Sequence, residues 1–228
     1  MSQIIELEWD SLLFGGRTAR IDDYECVPDR TALSAYKYVH VRVPQDNVEL
    51  IWQYQQIGFR YITLDYSLEK KPVAKQCPVL DSYTILSIRK QAPVFLIDGF
   101  RLEGSRLVLD PELKHHLSED FWDKTIHDHC LDFADFVLCA VNHDNRLIGF
   151  ISCFDRSSAI DMFLVIVHPD YRGTGVGRSL LDVAEIYAFE AGKMLTTSVI
   201  AQNLVAMNFY AKNGFILKDA VSVLHYSN

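Results

Sequence analysis

The sequence predicts an α/β (α+β) fold in which a mixed sheet is flanked by helices. Three observations carry that prediction. Apolar, β-rich runs alternate with amphipathic stretches. A turn with glycines at Gly173, Gly175 and Gly177 joins one such run to a helical stretch. A strand–helix unit closing on a Gly-Phe pair occurs twice, at Gly58-Phe59 and at Gly214-Phe215. With 228 residues the chain can form one large domain or two small ones around a substantial core.

Lys37 to Val43 reads as a strand, Asp46 to Gln56 as a helix and Arg60 to Leu68 as a second strand. Glu69 to Asp81, with two prolines and three lysines, reads as a linker. From Ser82 onward, Thr84 to Arg89 is a strand and Pro111 to Cys130 a helical stretch with Leu117, Phe121 and Ile126 among its apolar positions. Phe136 to Val141 and Leu147 to Cys153 form a hairpin through Asn142 to Arg146. Ala159 to Val167 is the strand that feeds the glycine turn. The helix beyond it places Val176, Leu180, Val183, Ala184 and Tyr187 on one stripe, with Gly192 as its C-cap. Leu195 to Ile200 is a strand, Val205 to Lys212 a helix and Ile216 to Tyr226 the last β-rich segment. A shift of 156 positions lays Val43, Asn47, Tyr54, Gly58 and Phe59 on Val199, Asn203, Tyr210, Gly214 and Phe215. The N-terminal block is thus either a degenerate partial repeat or a chance likeness between two strand–helix–strand units.

The glycine turn carries the chemistry. Glycines at alternate positions let backbone N–H groups turn inward at a helix start, a cradle for phosphate or pyrophosphate. No Lys-Ser or Lys-Thr follows the last glycine, as a triphosphate loop requires. Arginine stands at 172 and 178, where a dinucleotide fingerprint would need glycine.

Arg-x-x-Gly-x-Gly at Arg172–Gly177, entered through Val167 and Pro169, resembles the acetyl-CoA pyrophosphate loop of the GCN5-related N-acetyltransferases, the GNAT superfamily. Asn203, Ala206, Tyr210, Gly214 and Phe215 resemble the same superfamily's later strand-to-helix segment. The resemblance implies a mostly antiparallel GNAT sheet over residues 82–228, with residues 1–68 as a partial GNAT-like unit and residues 69–81 as the linker. It implies acetyl-CoA as cosubstrate, held by Ile166, Val167, Arg172, Gly173, Thr174, Gly175, Val176, Gly177, Arg178, Asn203 and Phe209. Tyr210 falls at the family's proton-donor position, the alternative being a core tyrosine. Asn203 is otherwise an N-cap and Phe209 otherwise core. Asp161, on the strand leading to the loop, is either the base that takes the ammonium proton or a surface strand-end carboxylate.

Trp9 to Gly15, Phe100 to Asp110 and Phe121-Trp122 are similar to segments of the dTDP-fucosamine acetyltransferase (WecD-like) family, although Leu13 and Leu107 replace its aromatics. That likeness implies a nucleotide-linked amino-deoxy sugar as acceptor, for surface polysaccharide synthesis. The alternatives are a protein N-terminus or another metabolite amine, and a non-catalytic CoA sensor.

A net charge of −8 speaks against non-specific nucleic-acid binding. No apolar stretch approaches the roughly 20 residues that span a bilayer. Met1 to Asp10 has three acids and no base, unlike a signal peptide, and five scattered cysteines suit reduced thiols. The expectation is a cytoplasmic enzyme without a metal, acting on a small amine, with room for a homodimer. Residues His127-Asp128-His129-Cys130 read as a solvated helix face, because histidines two apart on a helix cannot share an ion.

Overall fold

A computed structural model describes residues 4–228; the first three residues of the N-terminal unit lie outside the described residues. The N-terminal elements are β1 (Ile4–Glu6), α1 (Glu8–Phe14), β2 (Thr18–Ile21), α2 (Arg30–Leu33), β3 (Tyr38–Pro44), α3 (Val48–Gln56) and β4 (Arg60–Lys70). Beyond the linker come β5 (Tyr83–Ile88), α4 (Arg106–Leu109), α5 (Pro111–Lys114), α6 (Phe121–Asp128), β6 (Phe136–Asn142) and β7 (Leu147–Asp155). The last elements are β8 (Ala159–Val167), α7 (Val176–Glu190), β9 (Met194–Ile200), α8 (Leu204–Lys212) and β10 (Ile216–Ser227). These strands form one sheet, ordered β1-β2-β3-β10-β4-β9-β8-β7-β6-β5. Only β2–β3 and β8–β9 run parallel. The expected fold, a large, mostly antiparallel GNAT sheet flanked by helices, is present.

The 156-residue shift noted in the sequence also holds in three dimensions. It carries β3 onto β9, α3 onto α8 and β4 onto all but the last residue of β10. Asn47 and Asn203 cap their helices alike, each side-chain oxygen accepting from the N–H three residues on. Phe59 N donates to Tyr54 O, and Phe215 N to Tyr210 O, each at 3.1 Å. Both Tyr–Phe ring pairs have centroids 5.1 Å apart. The β4–β10 register is symmetric about Asp65↔Val221, with one skipped residue on each side. The two units are interleaved: β10 lies between β3 and β4, and β4 lies between β10 and β9. An approximate two-fold axis therefore passes between β4 and β10.

Side-chain parity assigns the two faces. Val39, Val41 and Val43 pack under α3, while Tyr38, His40 and Arg42 point the other way. On the α3 side, α7 and α8 cover Met162, Leu195, Val199 and Phe215. Gly149 lets α7 come close, since a Cβ there would meet Val176 Cγ1 at 2.6 Å and Leu180 Cδ1 at 2.9 Å. After β4 the chain crosses over α7 to reach β5 at the far edge. Glu185, fully buried on α7, holds that crossing by accepting from Lys70, Lys75 and Val73 N–H. Burial works to raise its carboxyl, but these partners keep it below the ordinary value.

Two expectations need correction. The continuous helix over residues 111–130 is broken into α5 and α6, because Ser118 bonds Asp120 and the backbone turns there. The break lets Leu113 and Phe121 pack with Phe14 and Tyr38, while Ile126 and Cys130 join the core under β6 and β7. His129 is not on a solvated face. A wider π-type turn at His129–Phe133 buries it and stacks it on Phe133, with ring centroids 4.4 Å apart.

Candidate active site

β8 and β9 pair only from Ala159↔Met194 to Met162↔Thr197, then diverge. A bulge causes the divergence. Ser152 pairs with Leu164 and Cys153 with Met162, so Phe163 is the extra residue on β8. The bulge also exchanges faces: Ile160 and Met162 lie in the core under α7, whereas Leu164 and Ile166 lie in the opposite core with Phe150. Past Met162 the β9-facing backbone of β8 has no strand partner. The result is a wedge between two strands, open toward their C-terminal ends.

The glycine turn stands at the upper end of the β8 side. Gly173 and Gly175 take φ of 79° and 94°, and a Cβ at either would meet nothing within 4 Å. Among the described residues, the N–H groups of Gly173, Gly175, Val176, Gly177 and Arg178 have no hydrogen-bond acceptor. They point from the first turn of a 15-residue helix, whose dipole favours an anion. Val176 is buried against the sheet, and Gly177 approaches Val167 and the Phe209 ring, at 3.3 and 3.8 Å from a built Cβ. Thr174 Oγ1 donates to Tyr171 O at 2.7 Å and closes the turn. The guanidiniums are held within the protein. Arg172 donates to the carbonyls of Val167 (3.3 Å) and Arg101 (2.5 Å), and Arg178 bonds Asp182 and Asn213. What this loop offers an anion is chiefly backbone.

Tyr210 and Asp161 stand near the wedge foot, on opposite faces. Tyr210 comes from α8, its ring between Phe209 and Phe215. Burial pushes its phenol up to about 12, against the pull of Thr197 beside it. Thr197 Oγ1 in turn donates to Met162 O at 2.9 Å, at the last β8–β9 pair. Asp161, one residue before that pair, is half-buried within the strand and accepts from Thr196 Oγ1 at 3.2 Å. Burial raises its carboxyl, while Thr196, Arg156 and Arg42 oppose the shift. Asn203 Oδ1 caps α8 by accepting from Ala206 N at 3.1 Å.

Other contributors were not placed at the wedge by the sequence, which marked Phe100 to Asp110 only for its WecD-like similarity. The segment from Gly99 to Gly104 runs past the C-terminal ends of both splayed strands. It lies against His168 at Gly99, accepts from Arg172 at Arg101 and presses on Asn203 at Gly104. Asp123 of α6 anchors it by accepting from Gly99 N and Phe100 N, at 3.0 and 2.9 Å. Gly99 and Gly104 were the available signals, since each occupies a place where a Cβ would collide.

The profile of the acetyltransferase (GNAT) family matches residues 103–215, which include the wedge, the glycine turn and Tyr210. A peptidyl-lysine N-acetyltransferase of Escherichia coli, YjaB, is 38% identical over 76 residues, 33% of this chain and 46% of the relative. An uncharacterized N-acetyltransferase of Methanocaldococcus jannaschii is 29% identical over 98 residues, 40% of this chain and 42% of the relative. The chain thus aligns with less than half the length of either. A tandem GNAT protein from the clavulanic acid biosynthesis pathway superposes over 92% of this chain and 75% of its own, with a TM-score of 0.58 at 14% identity. Residues 103–215, with the wedge and the anion turn they contain, are the part of the chain that matches the GNAT acetyltransferase family.

Proposed function

We propose that the chain is an acetyl-CoA-dependent N-acetyltransferase acting on a small-molecule amine. The observation that carries this reading is the placement of three parts around one wedge: free N–H groups at its upper end, unpaired β8 backbone along it, and Tyr210 near its foot. The turn holds the pyrophosphate, and the β8 edge, toward Ile166 and Val167, takes the pantetheine arm and polarises the thioester carbonyl. The amine attacks that carbonyl, Asp161 takes the ammonium proton through water, and Tyr210 donates to the departing thiolate. Residues 82–228 form the acetyltransferase domain, residues 1–68 a partial GNAT-like unit, and residues 69–81 the strap between them.

The acceptor implied by the WecD-like segments is a nucleotide-linked amino-deoxy sugar. The name of the Escherichia coli relative supports a second reading, a peptide lysine. Thiol release from acetyl-CoA, measured against nucleotide-linked amino sugars, free amino sugars and lysine peptides, separates them. Turnover confined to lysine peptides would replace the small-amine reading, and absence of acetyl-CoA binding would remove both.

A further inference from the structure

We propose that Arg42, held by Asp65, is the specificity-determining residue of the acceptor cleft and binds a carboxylate or phosphate carried by the acceptor amine. The inference rests on the acetyl-transfer reading of the β8–β9 wedge and adds a substrate class to it.

Register places the two residues. Arg42 lies opposite Val223, Val221 opposite Asp65, Asp65 opposite Ile200, and Ser67 opposite Ser198. Asp161 lies opposite Thr196 on the far side of β9. All these side chains share the sheet face turned away from α3, α7 and α8. Arg42 and Ser198 are exposed and Thr196 and Asp161 half-buried, so a polar trail runs from β3 to Asp161. Arg42 is near enough that its charge acts on Asp161.

The ion pair itself is lopsided. Arg42 Nη2 lies 3.0 Å from Asp65 Oδ2, with the arginine side chain 51% exposed and the aspartate 6%. Asp65 Oδ1 has no partner among the described residues, so Arg42 is the only cation on a buried carboxylate. An arginine in an ordinary surface pair swings freely. This one cannot leave without stranding a buried charge, so its head is held at Asp65 while half of its side chain stays exposed on the Asp161 face. Arg20 and Arg106 add positive charge on the same side. A pre-oriented, half-exposed guanidinium on the face that carries Asp161 suits an oxyanion on the acceptor. Two sources would supply one: the carboxylate of an amino acid, or the phosphate of a sugar phosphate or nucleotide sugar.

The test uses the full chain with saturating acetyl-CoA and thiol release as readout. Matched probes differ only in the anion: glucosamine 6-phosphate against glucosamine, and 4-aminobutyrate against butylamine. In the wild type, at least one anionic probe should exceed its neutral partner in kcat/KM, and which pair responds identifies the source. The double variant Arg42→Gln/Asp65→Asn avoids the stranded charge. It should lose about 10- to 100-fold in kcat/KM for the anionic probe through KM, the scale of hydrogen bonds to a charged group. The neutral probe should lose far less than the anionic one, with its KM unchanged, and acetyl-CoA affinity by calorimetry should be unchanged. Arg42→Lys, which keeps the charge but not the fork, should fall between. Equal losses on both members of a pair, or no preference for either anion in the wild type, including no turnover of any probe, overturn the proposal. Absence of acetyl-CoA binding to the wild type instead overturns the acetyl-transfer reading.

Discussion

Replacing Tyr210 with phenylalanine tests the chemistry most directly. The ring contacts to Phe209 and Phe215 remain, at 5.3 and 5.1 Å, and only the hydroxyl near Thr197 is lost. That should cost about 0.5–1.5 kcal/mol of stability and leave the fold intact. The kinetic magnitude follows from proton affinities. A phenol raised to about 12 is protonated through all physiological pH. An alkyl thiol titrates near 8.5, so full transfer from Tyr210 to the thiolate is uphill by 3–4 units, or about 5 kcal/mol. The hydroxyl therefore works mainly as a hydrogen-bond donor to the departing sulfur. One such bond to a charged atom contributes about 1.5–3 kcal/mol, or about 10- to 150-fold in kcat. Because the phenol stays neutral below about pH 11, Tyr210→Phe should lower the plateau of the kcat–pH profile without moving either limb. Single-turnover thiol release gives kcat, and calorimetry gives acetyl-CoA affinity. Turnover within twofold of wild type when chemistry limits the rate would reduce Tyr210 to packing. A loss of acetyl-CoA affinity as large as the loss of rate would show uniform binding instead.

Gly175→Asp should weaken acetyl-CoA binding by at least about 100-fold, the scale of two lost charge-assisted hydrogen bonds. Its φ of 94° adds about 1–3 kcal/mol of strain but no collision, so a folded variant that binds normally in calorimetry refutes the anion turn. Glu185→Gln should cost about 3 kcal/mol at pH 7 in urea unfolding, because Lys70 and Lys75 lose a buried partner. A depressed carboxyl stabilises above its unfolded value, near 4.3, and loses that contribution as pH falls through the folded value. The difference between variant and wild type should therefore shrink below about pH 4; a pH-independent difference would mean that packing, not charge, is what was lost. A CoA titration should give one site per chain. Tyr54→Phe should cost about 1 kcal/mol, through its bond to Tyr24 O, with kcat unchanged; a kinetic loss matching that at Tyr210 would show a second working site.

Much of the fold was legible because the informative features are local. The glycine turn needs its φ values, the Gly-Phe closures need theirs, and the hairpin at 142–146 needs short-range pairing only. The interleaving of β10 between β3 and β4 was not legible, since strand order depends on contacts 147 to 189 residues apart. The bulge at Phe163 was hidden for a different reason. Ile160, Met162, Leu164 and Ile166 alternate without a break, yet the extra residue moves the last two to the other face. A strictly alternating run thus concealed the irregularity that opens the wedge. Arg42 was equally invisible, because its interest lies in a partner on another strand whose burial only the assembled sheet reveals.

The approximate two-fold axis relates two strand pairs, of which only β8–β9 leads into the parts that the acetyl-CoA reading requires. β2 pairs with β3 in parallel over Thr18↔Tyr38 to Ile21↔Val41 and then stops. On the 156-residue shift, Val41 corresponds to Thr197, where β8 leaves β9. Both halves therefore begin a parallel pair of the same length that ends at the same level. Beyond that level they differ. After Val167 the chain makes an open anion turn and a 15-residue helix. After Ile21 it makes no Arg-x-x-Gly-x-Gly turn, and its helix has four residues. The chain past β2 instead brings the Tyr24 carbonyl to Tyr54, whose hydroxyl donates to it at 2.9 Å. In the other half the matching hydroxyl of Tyr210 lies beside the Thr197 side chain instead. An intramolecular acceptor thus occupies the N-terminal tyrosine, and no helix dipole faces a phosphate there. That unit also presents β3 and β4 side chains, Arg42 and Asp65 among them, to the opposite sheet face. Asp65 sits on the axis itself, where its counterpart is Val221, so the Arg42–Asp65 pair has no duplicate. The matching helices cover the sheet on one face, while the departure from symmetry leaves the Arg42–Asp65 pair unduplicated on the other.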